Sequence, residues 1–327
     1  MTTSAVATDE SFLEQVEPLR RELTAHCYRM SGSLHDAEDL VQETYLRAWR
    51  AFHGFENRSS LRTWMYQIAT NVCLTALQTK ARRPLPTGLG QPSSDPGGAL
   101  ESRPEVSWLE PLPDTVLWGG GGDADPADEV VSGECVRLAF VAALQHLTPQ
   151  QGAVLIFRDV LAGQACVVAA ALDITVAGVN STLQRARAHV ARLTPEESQA
   201  PLDDERKASM LKGYVKAFED YDVERIVELL TADAVWEMPP FTGWYQGDEA
   251  IGRLIATNCP ANGPDDMRLL PTSANGQPAF GVYMRGEDGV HRAFHLQQLT
   301  LTPAGVSHVA AYFDTSLFAA FGLPDRL

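Results

Sequence analysis

Between residues 84 and 134 the chain is rich in Pro, Gly and acids, including WLEPLPDTVLWGGGGDADPADE, and shows no sustained hydrophobic period. Proline fixes φ and removes a backbone donor, and glycine runs favour neither helix nor strand, so this stretch reads as a linker. It divides the sequence. Before it, apolar residues recur every three or four positions; after it, helical patterning resumes as far as residue 193, and beyond Asp203 strand-like runs appear. A chain of 327 residues divided this way has room for two or three domains, each able to bury its own core.

The first helical stretch carries Phe12, Val16, Leu19, Leu23, Cys27 and Met30 on one face. After Ser31-Gly32-Ser33, the run HDAEDLVQETYLRAWRAF places Leu40, Thr44, Ala48 and Phe52 on one stripe and Asp36, Asp39, Glu43 and Arg47 on another. LRTWMYQIATNVCLTALQTKARR then gives a wide buried stripe ending in Lys80, Arg82 and Arg83, cations suited to a helix C-terminus and to phosphate. Past the linker, Thr148-Pro149 reads as an N-cap followed by proline at the first helical position. A short Ala-rich helix from Gln164 to Leu172, the turn Asp173-Ile174 and a longer helix capped by Thr175 follow. That last helix turns Val179, Leu183, Ala186, Val190 and Leu193 inward and leaves Asn180, Ser181, Gln184, Arg185 and Arg187 outward or flanking. Two helices joined by a tight turn, the second displaying Ser, Gln and Arg, are what a helix-turn-helix needs to enter a major groove.

From Asp203 two helices and a third after Gly247 are expected, then the strands QPAFGVYMR, VHRAFHLQQLTLT and GVSHVAAYF, the first two joined by the GEDG turn. Helices followed by an antiparallel meander indicate an α+β domain. His291 and His295 invite a metal reading, yet four strand residues span about 13 Å, too far to share one ion. The five cysteines at 27, 73, 135, 166 and 259 are odd in number and scattered, which argues against disulfides and a cysteine zinc site. No metal and no cofactor are expected.

Taken alone, the formal charge of −16 argues against nucleic acid. Its distribution reverses the argument. Counted along the sequence, residues 1–83 hold 10 basic and 10 acidic groups, 84–134 hold 1 and 10, 135–200 hold 5 and 4, and 201–327 hold 10 and 18. The acid lies in the linker and the C-terminal third, leaving both helical segments near neutral and open to DNA. No stretch reaches the roughly 18 apolar residues of a membrane span. The N-terminus lacks a secretory signal, so a soluble, cytoplasmic protein with no membrane partner is expected.

DAEDLVQETYLRAWRAF with LRTWMYQIATNVCLTAL resembles region 2 of the extracytoplasmic-function sigma factors of bacterial RNA polymerase, in the sigma-70 family. HLTPQQGAVLIFRDVLAGQACVVAAALDITVAGVNSTLQRARAHV looks like their region 4. The C-terminal 120 or so residues are similar to the SnoaL-like, cone-shaped α+β fold fused to some of these factors, and WLEPLPD resembles the linker motif of those fused groups. The sequence departs from the family pattern at Asp173, where the turn usually has Gly, and around Cys166 and Val167, where an acid is common. A Gly-rich, Lys-containing motif of some fused groups is absent, with ANGQPA near its place.

The resemblance implies a multidomain protein: a helical region 2 domain at 10–83, an acidic linker at 84–134, a helix-turn-helix region 4 domain at 135–195, and an α+β cone at 204–327. It implies a non-enzymatic factor that binds core polymerase through the β′ clamp coiled coil and the β flap, recognises −35 and −10 promoter elements, and helps melt the duplex. Asp36, Asp39, Gln42 and Glu43 would dock the polymerase, since carboxylates on one rigid face offer charge-assisted hydrogen bonds to arginines. Phe55, Asn57, Arg58, Arg62, Trp64 and Tyr66 supply the aromatics and donors that hold an unstacked base. Arg82 and Arg83 would contact phosphate. Thr175, Asn180, Ser181, Gln184, Arg185 and Arg187 would meet the upstream element, with Gln184 and Arg185 best placed for base edges. The cone is expected to regulate the factor, with a small ligand as a candidate partner. Two other readings stand beside this one: a cyclase- or epoxide-hydrolase-type enzyme with a helical tether, and a helix-turn-helix repressor that needs no polymerase.

Overall fold

The computed structural model of the chain describes residues 12–56, 59–118, 136–193 and 202–327. It divides into two compact units, one of residues 1–83 with 109–196, the other of 84–108 with 197–327.

The helical unit begins with α1 (Arg20–Ser31), α2 (Leu34–Ala51) and α3 (Leu61–Leu77). The breaks between them have chemical causes. Gly32 ends α1 in the left-handed conformation at φ 72°, which costs glycine little, and Ser33 caps α2 by accepting from the Asp36 N–H. Ser60 caps α3 by accepting from the Thr63 N–H. Leu23, Cys27, Leu40, Val41, Ala48, Met65, Ala69 and Cys73 fill the core between the three helices. The third helix stops at Leu77, so Lys80, Arg82 and Arg83 lie beyond it and not on its last turn.

Residues after Trp108 return to this unit: Leu109, Leu112 and Leu117 are buried, and the Tyr28 hydroxyl donates to the Glu110 carbonyl at 2.7 Å. They lead through α4 (Asp114–Trp118). Then come α5 (Leu138–Gln145), α6 (Pro149–Leu155) with a π-turn over Ile156–Val160, α7 (Ala165–Leu172) and α8 (Val176–Leu193). Thr148 and Gln151 close a reciprocal capping box at α6. The axes of α7 and α8 meet at 98°, with Asp173 in the left-handed conformation at φ 52° between them. The tight turn and crossing are those of a helix-turn-helix.

In the α+β unit, α9 (Asp204–Glu219), α10 (Val223–Leu229) and α11 (Asp248–Asn258) pack on a six-stranded sheet. Its strands are β1 (Leu230–Glu237), β2 (Trp244–Gln246), β3 (Met267–Ala274), β4 (Gln277–Arg285), β5 (His291–Thr302) and β6 (Gly305–Tyr312), in the order β2-β1-β6-β5-β4-β3. Only β1 and β6 run parallel. Trp236, Phe280, Val282, Leu299 and Val309 face Tyr214, Phe218 and Ile226 from the helices in one core. Residues 84–108 belong to this unit through backbone pairing: Ser94 N–H bonds the Trp244 carbonyl at 2.8 Å, Thr242 N–H the Glu101 carbonyl at 2.9 Å, and Arg103 N–H the Pro240 carbonyl at 2.8 Å.

Candidate polymerase and nucleic-acid interface

The acidic stripe of α2 divides into two parts. Asp36 is buried and accepts from Lys80 Nζ at 2.6 Å and Arg83 Nη2 at 3.0 Å, while Arg83 Nη1 reaches Glu110 at 3.0 Å. Burial works to raise the Asp36 pKa, and the hydrogen bonds and charges of Lys80 and Arg83 overrule it, so the carboxyl stays below its ordinary range. Asp36 and Arg83 therefore fasten the chain after α3 against the start of α2. Asp39 and Gln42 are exposed; Glu43 is half-exposed and pairs with Arg47 Nε at 2.6 Å. Leu46 and Trp49, 49% and 47% exposed, continue the same face at helical spacing. Sequence reasoning passed over these two, although a large apolar pair beside an acidic stripe is the signal of a docking face.

Trp64 is half-buried. Its ring lies 4.8 Å from Phe55, and together with Gly54, Glu56, Ser59 and Gln67 these two line a pocket of about 380 Å³. Asn57 and Arg58 lie outside the described residues. Arg62 pairs with Glu22, itself almost fully buried, at 2.6 Å, and its guanidinium sits 5.8 Å from the Tyr66 ring centre. Burial would lower the Arg62 pKa, but the bond and charge of Glu22 raise it, so the cation is held firmly beside the pocket-bearing helix. Glu22 was not anticipated from the sequence because its partner lies 40 residues away. Arg82 is exposed and donates to the His146 carbonyl at 3.3 Å.

On α8, Asn180, Ser181, Gln184, Arg185 and Arg187 are exposed, and Val179, Thr182, Leu183 and Ala186 are buried, whereas Leu193, expected to face inward, is exposed at the helix end. Thr175 accepts from the Gly178 N–H at 3.0 Å and so serves the start of this helix. Arg187 is engaged: its Nε and Nη2 grip Asp159 at 2.8 and 2.5 Å, tying α8 to the π-turn. Among the described residues Arg185 makes a long contact to Thr182 Oγ1, 3.4 Å, and its head remains at the surface.

In the cone, Trp236, Met238 and Tyr245 are core residues, and the Tyr214 hydroxyl donates to Gln297 Oε1 at 3.0 Å. His295 is buried, which lowers its pKa to about 3 and keeps it neutral, whereas His291 bonds the Asp265 carbonyl from the surface. Glu237 is buried and accepts from the Thr87 N–H and His308 Nε2, each at 2.7 Å. Among the described residues no group of three His, Cys, Asp or Glu side chains could hold a metal ion.

Three family signatures match the chain in order: Sigma-70 region 2 over residues 15–83, Sigma-70 region 4 over 137–190, and a SnoaL-like domain over 211–312. The ECF RNA polymerase sigma factor SigG of Mycobacterium tuberculosis is 57% identical over 319 residues, covering 97% of this chain and 85% of that protein. SigJ of the same species is 26% identical, covering 85% and 82%. The crystal structure of SigJ shares the fold at a TM-score of 0.64 and 22% identity, over 95% of this chain and all of that one.

Proposed function

Because the chain belongs to the extracytoplasmic-function sigma factors of RNA polymerase, and is thus a transcription initiation factor and not an enzyme, we propose the following division of labour among its surfaces. Asp39, Gln42, Glu43, Leu46 and Trp49 form the face that docks the β′ clamp coiled coil. Carboxylates give the charged contacts, and the apolar pair gives the area that a stable interface buries. Asp36 serves indirectly, by fixing the start of that helix against Lys80 and Arg83. The pocket of Phe55 and Trp64 takes an unstacked base of the −10 element, for which an aromatic wall in an open pocket is suited. Arg82 contacts phosphate, and Arg62 orients the helix beside the pocket.

On α8, Asn180, Ser181, Gln184 and Arg185 enter the major groove of the −35 element, and region 4 approaches the β flap. Arg187 acts on α8 mainly through Asp159. Work beside polymerase and promoter DNA places the protein in the cytoplasm, and no single described helix is long and apolar enough to cross a membrane. The SnoaL-like domain regulates the factor. The observation that carries this reading is the polar outer face of α8, crossing α7 at 98°. Arg185→Ala is expected to weaken binding to the upstream element by about 1–3 kcal/mol and to relax preference at one base position. A promoter-variant library that returned an unchanged sequence preference would remove α8 from base reading.

A further inference from the structure

The helical unit contains a second pocket, of about 120 Å³, where α1 and the end of α3 meet α5 and the start of α6. Its wall carries three cations, Arg29, Lys80 and Arg82, with Gln145 and Thr148 as neutral polar neighbours and the rest apolar; none of the described residues lining it is acidic. Arg29 is only 1% exposed, so its charge is built into the wall and is not a surface arginine folded over it. Asp36 meets Lys80 from outside the pocket, at 2.6 Å, and Arg82 bonds the His146 carbonyl.

Two histidines nearby are kept neutral by burial first, with cations adding to the effect. His26 is driven down to about 3, by burial first and then by the charge of Arg29. His146 is lowered by burial, then by His189 and Arg82. The size is informative too. A single water needs about 10–15 Å³ and a drug-sized molecule about 300–1,000 Å³, so this space suits a small ion.

We propose that this pocket binds a small polyvalent oxyanion of the phosphate or pyrophosphate class. One anion there reaches the cations of region 2 and the polar side chains of region 4 together, and so holds the two regions packed on each other. The consequence rests on the sigma-factor reading above. Elements centred 25 base pairs apart lie roughly 85 Å apart at 3.4 Å per pair. A compact unit of about 160 residues is only ~40 Å across. Reading both elements therefore requires regions 2 and 4 to separate, and an anion bridging them opposes that step. The same chemistry has two sources, a free phosphate compound or a phosphate of the DNA backbone.

The test uses the full chain without polymerase, so its failure is separable from failure of the sigma assignment. Sodium pyrophosphate is titrated calorimetrically at fixed ionic strength, with sodium chloride as the matched control. Saturable binding near one equivalent with a sub-millimolar Kd is expected, weakened at least tenfold in Arg82→Gln and in Lys80→Gln. A second arm repeats the titration with saturating mixed-sequence duplex. Loss of pyrophosphate binding identifies backbone phosphate as the occupant, and retained binding identifies a free anion; both support the site. Heats no different from the chloride control, or unchanged affinity in both variants, overturn it.

Discussion

His26 shows how burial converts one residue into an acid sensitivity of the whole fold. Its Nε2 lies 2.9 Å from Thr70 Oγ1, its ring packs against Tyr66 and Phe157, and burial holds its pKa at about 3. The unfolded chain takes up the proton near the ordinary value of 6.5, so stability contributed by the neutral ring is complete above pH 6.5 and is lost as pH falls from there toward 3. The slope is about 1.4 kcal/mol per pH unit for one such group. Urea unfolding at pH 7.5 and 5.5 should therefore show a loss of which about 1.4 kcal/mol comes from His26, so that the loss is smaller by about that amount in His26→Gln. An equal loss in that variant would assign the acid sensitivity elsewhere. Asp36 works in the same direction in a lower pH window: its lowered pKa adds stability above the carboxylate range, lost only in stronger acid. Neither residue's environment could be read from sequence, because Thr70, Lys80 and Arg83 lie 44, 44 and 47 positions away.

At the scale of elements, capping was the most legible signal. Thr148 and Thr175 stand before apolar periodic runs, and both helices begin there. The α3 boundary was read too far, to Arg83. Its cations suit a helix end in principle, but Lys80 and Arg83 find a stronger partner in the Asp36 carboxylate off the helix. Strands β1, β2 and β3 were not anticipated. Pro271 inside β3 and the short, mixed β2 break the alternation a strand should show, although Asn275-Gly276, with φ 55° and 70°, forms the two-residue turn of a hairpin and was a usable signal. The Asp173 departure also has a structural answer: the residue does adopt φ 52°, which Asp tolerates at a cost that glycine avoids. Asp173→Gly is expected to stabilise the helix-turn-helix by up to about 1 kcal/mol while leaving DNA preference intact. A lower thermal midpoint would show instead that the Asp side chain contributes to the turn.

Over the whole molecule, the order of modules was written in the periodicity of the chain, but the allegiance of the linker was not. Residues 84–108 pair with the α+β unit through backbone N–H and C=O groups, which every residue carries and no composition reveals. The segment from Leu109 to Leu117 is held in the helical unit by three buried leucines. Removing residues 204–327 would strip 84–108 of the sheet it pairs with, and this segment leads directly into both ends of the helical unit. That deletion is expected to change promoter-specific transcription at least several-fold, the scale of a coupling of about 1–3 kcal/mol. Equal yields from truncated and full-length chains across a titration of core polymerase would make the C-terminal domain a passenger.

The central claim is that this chain directs core polymerase to a promoter through the exposed acidic face of α2. Run-off transcription with purified core polymerase, comparing the natural chain with the Asp39→Lys, Glu43→Lys double variant, tests it most directly. Both side chains are solvent-accessible and lie outside the core, so the variant should fold, and reversed charge at the proposed docking face would oppose the clamp. The account predicts a promoter-specific transcript that depends on the chain and is lost in the double variant. A transcript of equal strength from the double variant, or none above core polymerase alone with the natural chain, would contradict it.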